Sequence, residues 1–197
     1  MTESLDEHQS LLEHALTYLA QGKSIFPVCT PIPGHKDWCI QHGSHPEENR
    51  RRRGKGLSDL AKPGKHPLIP WAPYEFRLPN VDEVTRWWRQ WPEANIGMAT
   101  GAVSGIDVLD SDNGEARRTV MQEGVESGPV VFTGRHGGQH WHFAASEEGF
   151  RNFAGRRPGL DLRGPGGYVL LPPSLHESGQ RYALAEHTEQ LAPAAFP

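Results

Sequence analysis

The sequence predicts an α+β fold, and three observations carry that prediction. Apolar residues recur at helical spacing in two segments before Pro92, whereas beyond it the chain becomes a series of short β-prone runs punctuated by glycine, with one more helical stretch among them. The composition, 36% apolar with 22 Gly and 17 Pro, belongs to a loop-rich mixed protein and not to a helical bundle. The 197 residues suffice for one sizeable domain but not for several. Residues 1–197 are therefore read as a single domain, in which a loop-rich insertion at 29–71 precedes a mostly antiparallel sheet within 92–184.

In the first helical segment, 5–19, Leu5, Leu11, Leu12, Ala15, Leu16 and Leu19 fall at helical spacing, and Gly22 follows as a stop. A short β-prone run occupies 24–28. Residues 30–71 have no period but many Pro, Gly, His and basic residues, and a loop of that length is either functional or disordered. A second helix is predicted at 81–90, with Asn80 as its N-cap and Pro92 as its stop. Trp87, Trp88 and Trp91 at its end are expected to anchor it in the core rather than to stack on bases. Strands follow at 95–99, 105–109, 130–133, 140–143 and 168–171, with a third helix at 114–122.

Several classes of function are set aside by composition. No apolar run approaches the roughly 20 residues needed to cross a bilayer, and residues 1–10 are polar and acidic, without a signal-peptide core. The expected compartment is the cytoplasm, with no membrane partner. Cys29 and Cys39 lack an accompanying export signal and are expected as reduced thiols or metal ligands rather than a disulfide. The net charge of −4 conceals a basic stretch: Arg50, Arg51, Arg52, Arg53, Lys55, Lys62 and Lys65 face Asp59 alone between residues 50 and 66. That run has the chemistry to track a nucleic-acid backbone, with Trp38 or Trp71 available to stack on bases, but a solvated charge run reads equally well.

Three short motifs carry chemistry. In Ile106-Asp107-Val108-Leu109-Asp110-Ser111-Asp112, residues two apart in a strand share a face, so Asp110 and Asp112 project side by side at the strand's end. Such a pair repels unless a cation relieves it, and hard carboxylate oxygens suit Mg²⁺ or Mn²⁺. Asp107 lies at an odd offset and is expected to be structural. Asp-Ser-Asp-Asn-Gly is also ordinary capping sequence, which is the competing reading. In the second motif, Arg135-His136-Gly137-Gly138-Gln139-His140-Trp141-His142, adjacent glycines let backbone amides approach a phosphate that Arg135 and His140 can also reach; a plain hairpin is the competing reading. In the third, Asp161 and Arg163 alternate with apolar neighbours and share a strand face, giving either a metal ligand beside a phosphate-binding arginine or a structural ion pair.

Taken in order, Asn95-Ile96-Gly97-Met98-Ala99-Thr100-Gly101, Asp110-Ser111-Asp112, Gly137-Gly138-Gln139-His140, Asp161-Leu162-Arg163-Gly164 and Gly167-Tyr168-Val169-Leu170-Leu171-Pro172-Pro173-Ser174 resemble the bifunctional DNA primase/polymerase (prim-pol) domain of the archaeo-eukaryotic primase superfamily. The resemblance runs from about Ala15 to Tyr182. It implies a primase-like core whose antiparallel, RRM-like sheet bears the active site. It implies Asp110, Asp112 and Asp161 as ligands of two Mg²⁺ or Mn²⁺ ions, with His140 contacting the nucleotide and Arg163 as a second phosphate contact. Arg135, Gly137 and Gly138 complete the expected nucleotide-binding set. The expected partners are a DNA template and primer with dNTP or NTP; a helicase domain or another replication partner is left open.

Between Cys29 and His66 lie both cysteines and His35, His42, His45 and His66. Cys39-x-x-His42 has ligand-pair spacing and His45 follows at the same interval, so a structural Zn²⁺ on Cys39, His42, His45 and His66, with Cys29 and His35 as alternatives, is expected beside the simpler reading of a histidine-rich loop. Two other functions compete. His140-Trp141-His142 matches the His-hydrophobe-His pair of replication-initiation nucleases and relaxases, which also require a tyrosine nucleophile. A non-catalytic, zinc-dependent nucleic-acid-binding module is the third.

Overall fold

The computed structural model describes residues 9–31, 64–124, 128–146, 152–186, 188 and 193. Helix α1 spans Leu11–Ala20, its start set by a capping box in which Ser10 accepts from the Glu13 N–H while the Glu13 carboxylate accepts from the Ser10 N–H. The residues before it that were predicted to extend this helix, 5–8, lie outside the described residues. Strand β1 is Ile25–Val28, and a 3₁₀ turn at Ala72–Glu75 leads to α2, Val81–Gln90. Asn80 caps α2 through the same two-way bond with Glu83, as predicted. Strand β2 is Asn95–Ala99 and β3 is Ile106–Ser111; α3, Gly114–Gln122, is capped by Asn113. Strands β4 to β9 then cover Val130–Phe132, Gln139–Ala144, Phe153–Arg157, Leu160–Arg163, Tyr168–Leu171 and Ala183–Leu184.

The architecture is α+β with every strand pairing antiparallel, as expected. The strands divide between two sheets: β1-β2-β8, and a six-stranded sheet in the order β6-β7-β3-β5-β4-β9. Helices α1 and α2 bury Ala15, Val84, Trp87 and Trp88 with Phe26, Ile96 and Met98 of the first sheet, so the tryptophans of α2 are core residues. Trp71 is likewise committed to packing. Its ring stacks on Phe26 at 5.2 Å and meets the edge of Tyr168 at 5.1 Å.

Alternation gives the six-stranded sheet two different faces. On the back, Leu109, Trp141, Phe143 and Leu160 pack with Ala116 and Val120 of α3. On the front, Ile106, Val108 and Val131 join the core shared with the first sheet. The front of β3 therefore runs from apolar Ile106 and Val108 to Asp110 at its far end. No helix among the described residues is long and apolar enough to cross a membrane.

Candidate active site

Register places the polar residues. Asp110 on β3 stands opposite His140 on β5 and opposite Asp161 on β7, while Val108, one pleat earlier, stands between His142 and Arg163. Alternation puts all of these on the front face. Asp107 pairs with Phe143 on the back, fully buried, its Oδ2 accepting from the Ser146 N–H at 3.1 Å. It thus lies on the face opposite Asp110.

Asp112 stands just beyond the end of β3, its N–H donating to the Gly159 carbonyl. Its carboxylate accepts from Arg135 Nη1 at 2.6 Å, and Asp161 accepts from Arg163 Nη2 at 2.7 Å. Two of the three candidate carboxylates are thus neutralised by the two arginines expected to hold phosphate. Asp110 is different, because it receives no hydrogen bond among the described residues. His140 Nε2 lies 3.6 Å from the Asp110 Oδ1, beyond hydrogen-bonding range.

The electrostatics follow from that isolation. Burial pushes the Asp110 carboxyl above the usual carboxylate range; Arg163 and Lys65 pull it back, and Asp161 adds to the rise. Burial drives His140 down to about 3, with Lys65 and Arg163 acting in the same direction against Asp112. His140 is therefore neutral at pH 7, and its contact with Asp110 is not an ion pair despite the short separation. His142 behind it is also held down to about 3, again chiefly by burial.

The hairpin reading of the second motif holds. Strands β4 and β5 form a hairpin pairing Val131 with His140 and Phe132 with Gln139, and its turn carries Arg135, Gly137 and Gly138. Gly137 has φ 77, and a Cβ there would lie 2.6 Å from the backbone nitrogen of Gly114 at the start of α3. The glycine is required because the turn packs backbone to backbone on that helix end. The capping reading of Asp-Ser-Asp-Asn-Gly also holds, since the Asn113 side chain accepts from the N–H groups of Glu115 and Ala116.

A partly buried carboxylate that receives no hydrogen bond among the described residues, facing a second carboxylate across the β3–β7 pair, is a donor set that fits a hard cation. The three carboxylates are not gathered into one group, however, because Asp112 is drawn to Arg135. Among the described residues no cluster of three or more His, Cys, Asp or Glu side chains is placed to hold a metal ion. The expected zinc ligands Cys39, His42 and His45, with His35, lie outside the described residues. Cys29 corrects the sequence reading. It is buried and disulfide-bonded, not a reduced thiol, and so is withdrawn as an alternative zinc ligand. His66, the remaining candidate, is placed by its carbonyl, which accepts from the Cys29 N–H at 2.8 Å.

Three residues near the site were not singled out from sequence. The charge of Lys65, which was given no role beyond the basic run, acts on Asp110, His140 and His176. The Tyr182 ring lies 5.8 Å from that of His140 and 6.2 Å from that of His176, and so brings His176 beside a strand that no local sequence pattern connects to it.

A family model described as bifunctional DNA primase/polymerase, N-terminal, matches residues 15–197. No curated protein matches the chain significantly.

Proposed function

The chain belongs to the bifunctional DNA primase/polymerase family, and on that premise we propose that it is a DNA-dependent nucleotidyltransferase with its active centre at the Asp110 end of β3. The observation that carries the placement is the row His140–Asp110–Asp161 across β5, β3 and β7, with arginines on the neighbouring carboxylates.

In the proposed reaction the 3′-oxygen of a primer, or of an initiating nucleotide, forms a bond to the α-phosphorus of the incoming nucleotide. The bond from that phosphorus to pyrophosphate breaks, and the hydroxyl proton is released. Asp110, Asp112 and Asp161 would hold two Mg²⁺ or Mn²⁺ ions, which supply Lewis-acid activation of the hydroxyl and charge neutralisation at the leaving pyrophosphate. Arg135 and Arg163 turn from their carboxylates to the triphosphate, whose planar bidentate recognition suits guanidinium groups. His140, kept neutral by burial, contributes a hydrogen bond without adding charge. The template, the primer and the choice between dNTP and NTP belong to the same proposal.

The nuclease alternative needs an accessible tyrosine near His140. Tyr182 is the tyrosine that contacts it, but Tyr182 is only 3% exposed and burial raises its hydroxyl far above the ordinary range, which supports the polymerase reading instead. The deciding experiment is primer extension and de novo primer synthesis with Mn²⁺ or Mg²⁺, comparing the wild type with the double variant Asp110→Ala/Asp112→Ala. Loss of product is expected in the variant; undiminished synthesis would sink the assignment.

A further inference from the structure

His176 lies in the segment after β8, where an isolated bridge pairs Leu175 with Arg181. Its imidazole is 6% exposed, and its two nitrogens have different fates. Nδ1 accepts from the Ser178 N–H at 3.1 Å and also lies 3.0 Å from the Ser178 Oγ, which holds the ring from the same side. In a neutral ring that bond leaves the proton on Nε2. Nε2 is buried and has no hydrogen-bond partner. An orphaned buried donor is costly, and a folded protein retains few of them without a use.

The surroundings identify what would satisfy it. The His176 ring meets the edge of Tyr182, which in turn contacts His140; beyond its burial, the charges acting on His176 are those of Lys65, Glu177 and Arg135 in that order. With two cations against one carboxylate around it, the unpaired Nε2 donor suits an anionic acceptor.

Ser178 links this imidazole to the phosphate-binding turn. Its hydroxyl donates to the Gly134 carbonyl at 2.8 Å, immediately before Arg135. The approach is close enough that a Cβ on Gly134, at φ 77, would lie 2.8 Å from the His176 Cβ. One serine therefore orients the His176 ring and clamps the Arg135 turn at once.

We propose that His176, oriented by Ser178, donates its Nε2–H to a triphosphate oxygen of the incoming nucleotide, forming with Arg135 one wall of the nucleotide site. The inference rests on the nucleotidyltransferase reading for the identity of the ligand. It assigns His176 as a binding residue and Ser178 as a positioning residue.

The test titrates the full chain with inorganic tripolyphosphate and with dATP, and runs primer extension on the same preparations. His176→Asn keeps an acceptor where Nδ1 was and removes the Nε2 donor, whereas His176→Gln carries an amide donor in place of Nε2. About tenfold weaker binding of both probes is expected for His176→Asn, with most of it recovered in His176→Gln. A similar loss is expected in Ser178→Ala, which should raise KM for the nucleotide more than it lowers kcat, and Ser178→Thr, which keeps the hydroxyl, should restore both. Thermal melts within a few degrees of the wild type exclude misfolding as the cause; should His176→Asn melt early, the serine pair carries the test. Binding of tripolyphosphate and dATP at wild-type strength in folded His176→Asn or Ser178→Ala would overturn the inference. A wild type that binds both probes but extends no primer would instead overturn the proposed function and leave the anion site standing.

Discussion

Replacing Asp110 by Asn should stabilise the metal-free protein while abolishing synthesis. The Asp110 side chain retains 19% of its surface, receives no hydrogen bond among the described residues, and shares its row with the Asp161 carboxylate. Its folded pKa is raised, chiefly by burial. The native state thus holds a proton that the unfolded chain has released, and stability falls as pH rises from the ordinary carboxylate value through the raised one. The penalty is absent at pH well below 3.8 and complete above the folded pKa. An unsatisfied buried polar group costs about 1–3 kcal/mol. Arg163 and Lys65 offset part of that, so about 1–2 kcal/mol is expected, or a rise in Tm of about 3–6 °C for a chain of this size. The assay is thermal unfolding in EDTA at pH 7 and pH 3.5, repeated with Mn²⁺. Asp110→Asn should melt higher than the wild type at pH 7 in EDTA, lose most of that advantage at pH 3.5, and gain less from Mn²⁺. A wild type as stable as the variant at pH 7 in EDTA would mean that the carboxylate is already compensated, and the argument for a cation there would fail.

His142 is held neutral, at about 3, by burial, while the unfolded chain takes up its proton near 6.5; native stability should therefore fall as pH drops below 6.5, by up to about 2 kcal/mol at pH 5. His142→Gln should flatten the dependence of Tm on pH between 7 and 5, and an unchanged slope would contradict the burial argument. Gly137→Ala meets both a positive φ and the Gly114 backbone at 2.6 Å, so it should cost about 1–3 kcal/mol, lower Tm by several degrees, and weaken nucleotide binding through the Arg135 turn; circular-dichroism melts and dATP titration read the two effects. Cys29 is disulfide-bonded in a chain of two cysteines, so thiol titration of denatured, unreduced protein should find no free thiol and elemental analysis should find zinc near zero. Two thiols with one zinc per chain would restore the cysteine-bearing metal site.

The elements best read from sequence were those whose ends are local chemistry. Asn80 with Glu83 and Pro92 bound α2 in sequence as they do in space, and the run 114–122 is α3 to the residue. Strand β9, two residues long, has no such signal, because its reason for being extended is its pairing with β4. The strand-face argument also succeeded where a strand continued: Asp161 and Arg163 do share a face and touch. It was less useful for Asp112, which lies past the strand's end, where Arg135 decides the direction of the carboxylate. Cys29 went against expectation, since spacing and the lack of an export signal say nothing of which sulfur a folded chain brings near.

By itself, then, the sequence determined which residue types stand at which parity along each strand, and with them the candidates Asp110, His140, Asp161 and Arg163, because the two-residue period of a strand is a local property of the backbone. Tertiary structure alone decided that Asp110 faces His140 on one side and Asp161 on the other, and that Lys65, His176 and Tyr182 attend the same row. Strand register and the closure of distant segments are set by the sum of many packing contacts across the sheet, and no window of neighbouring residues contains that sum.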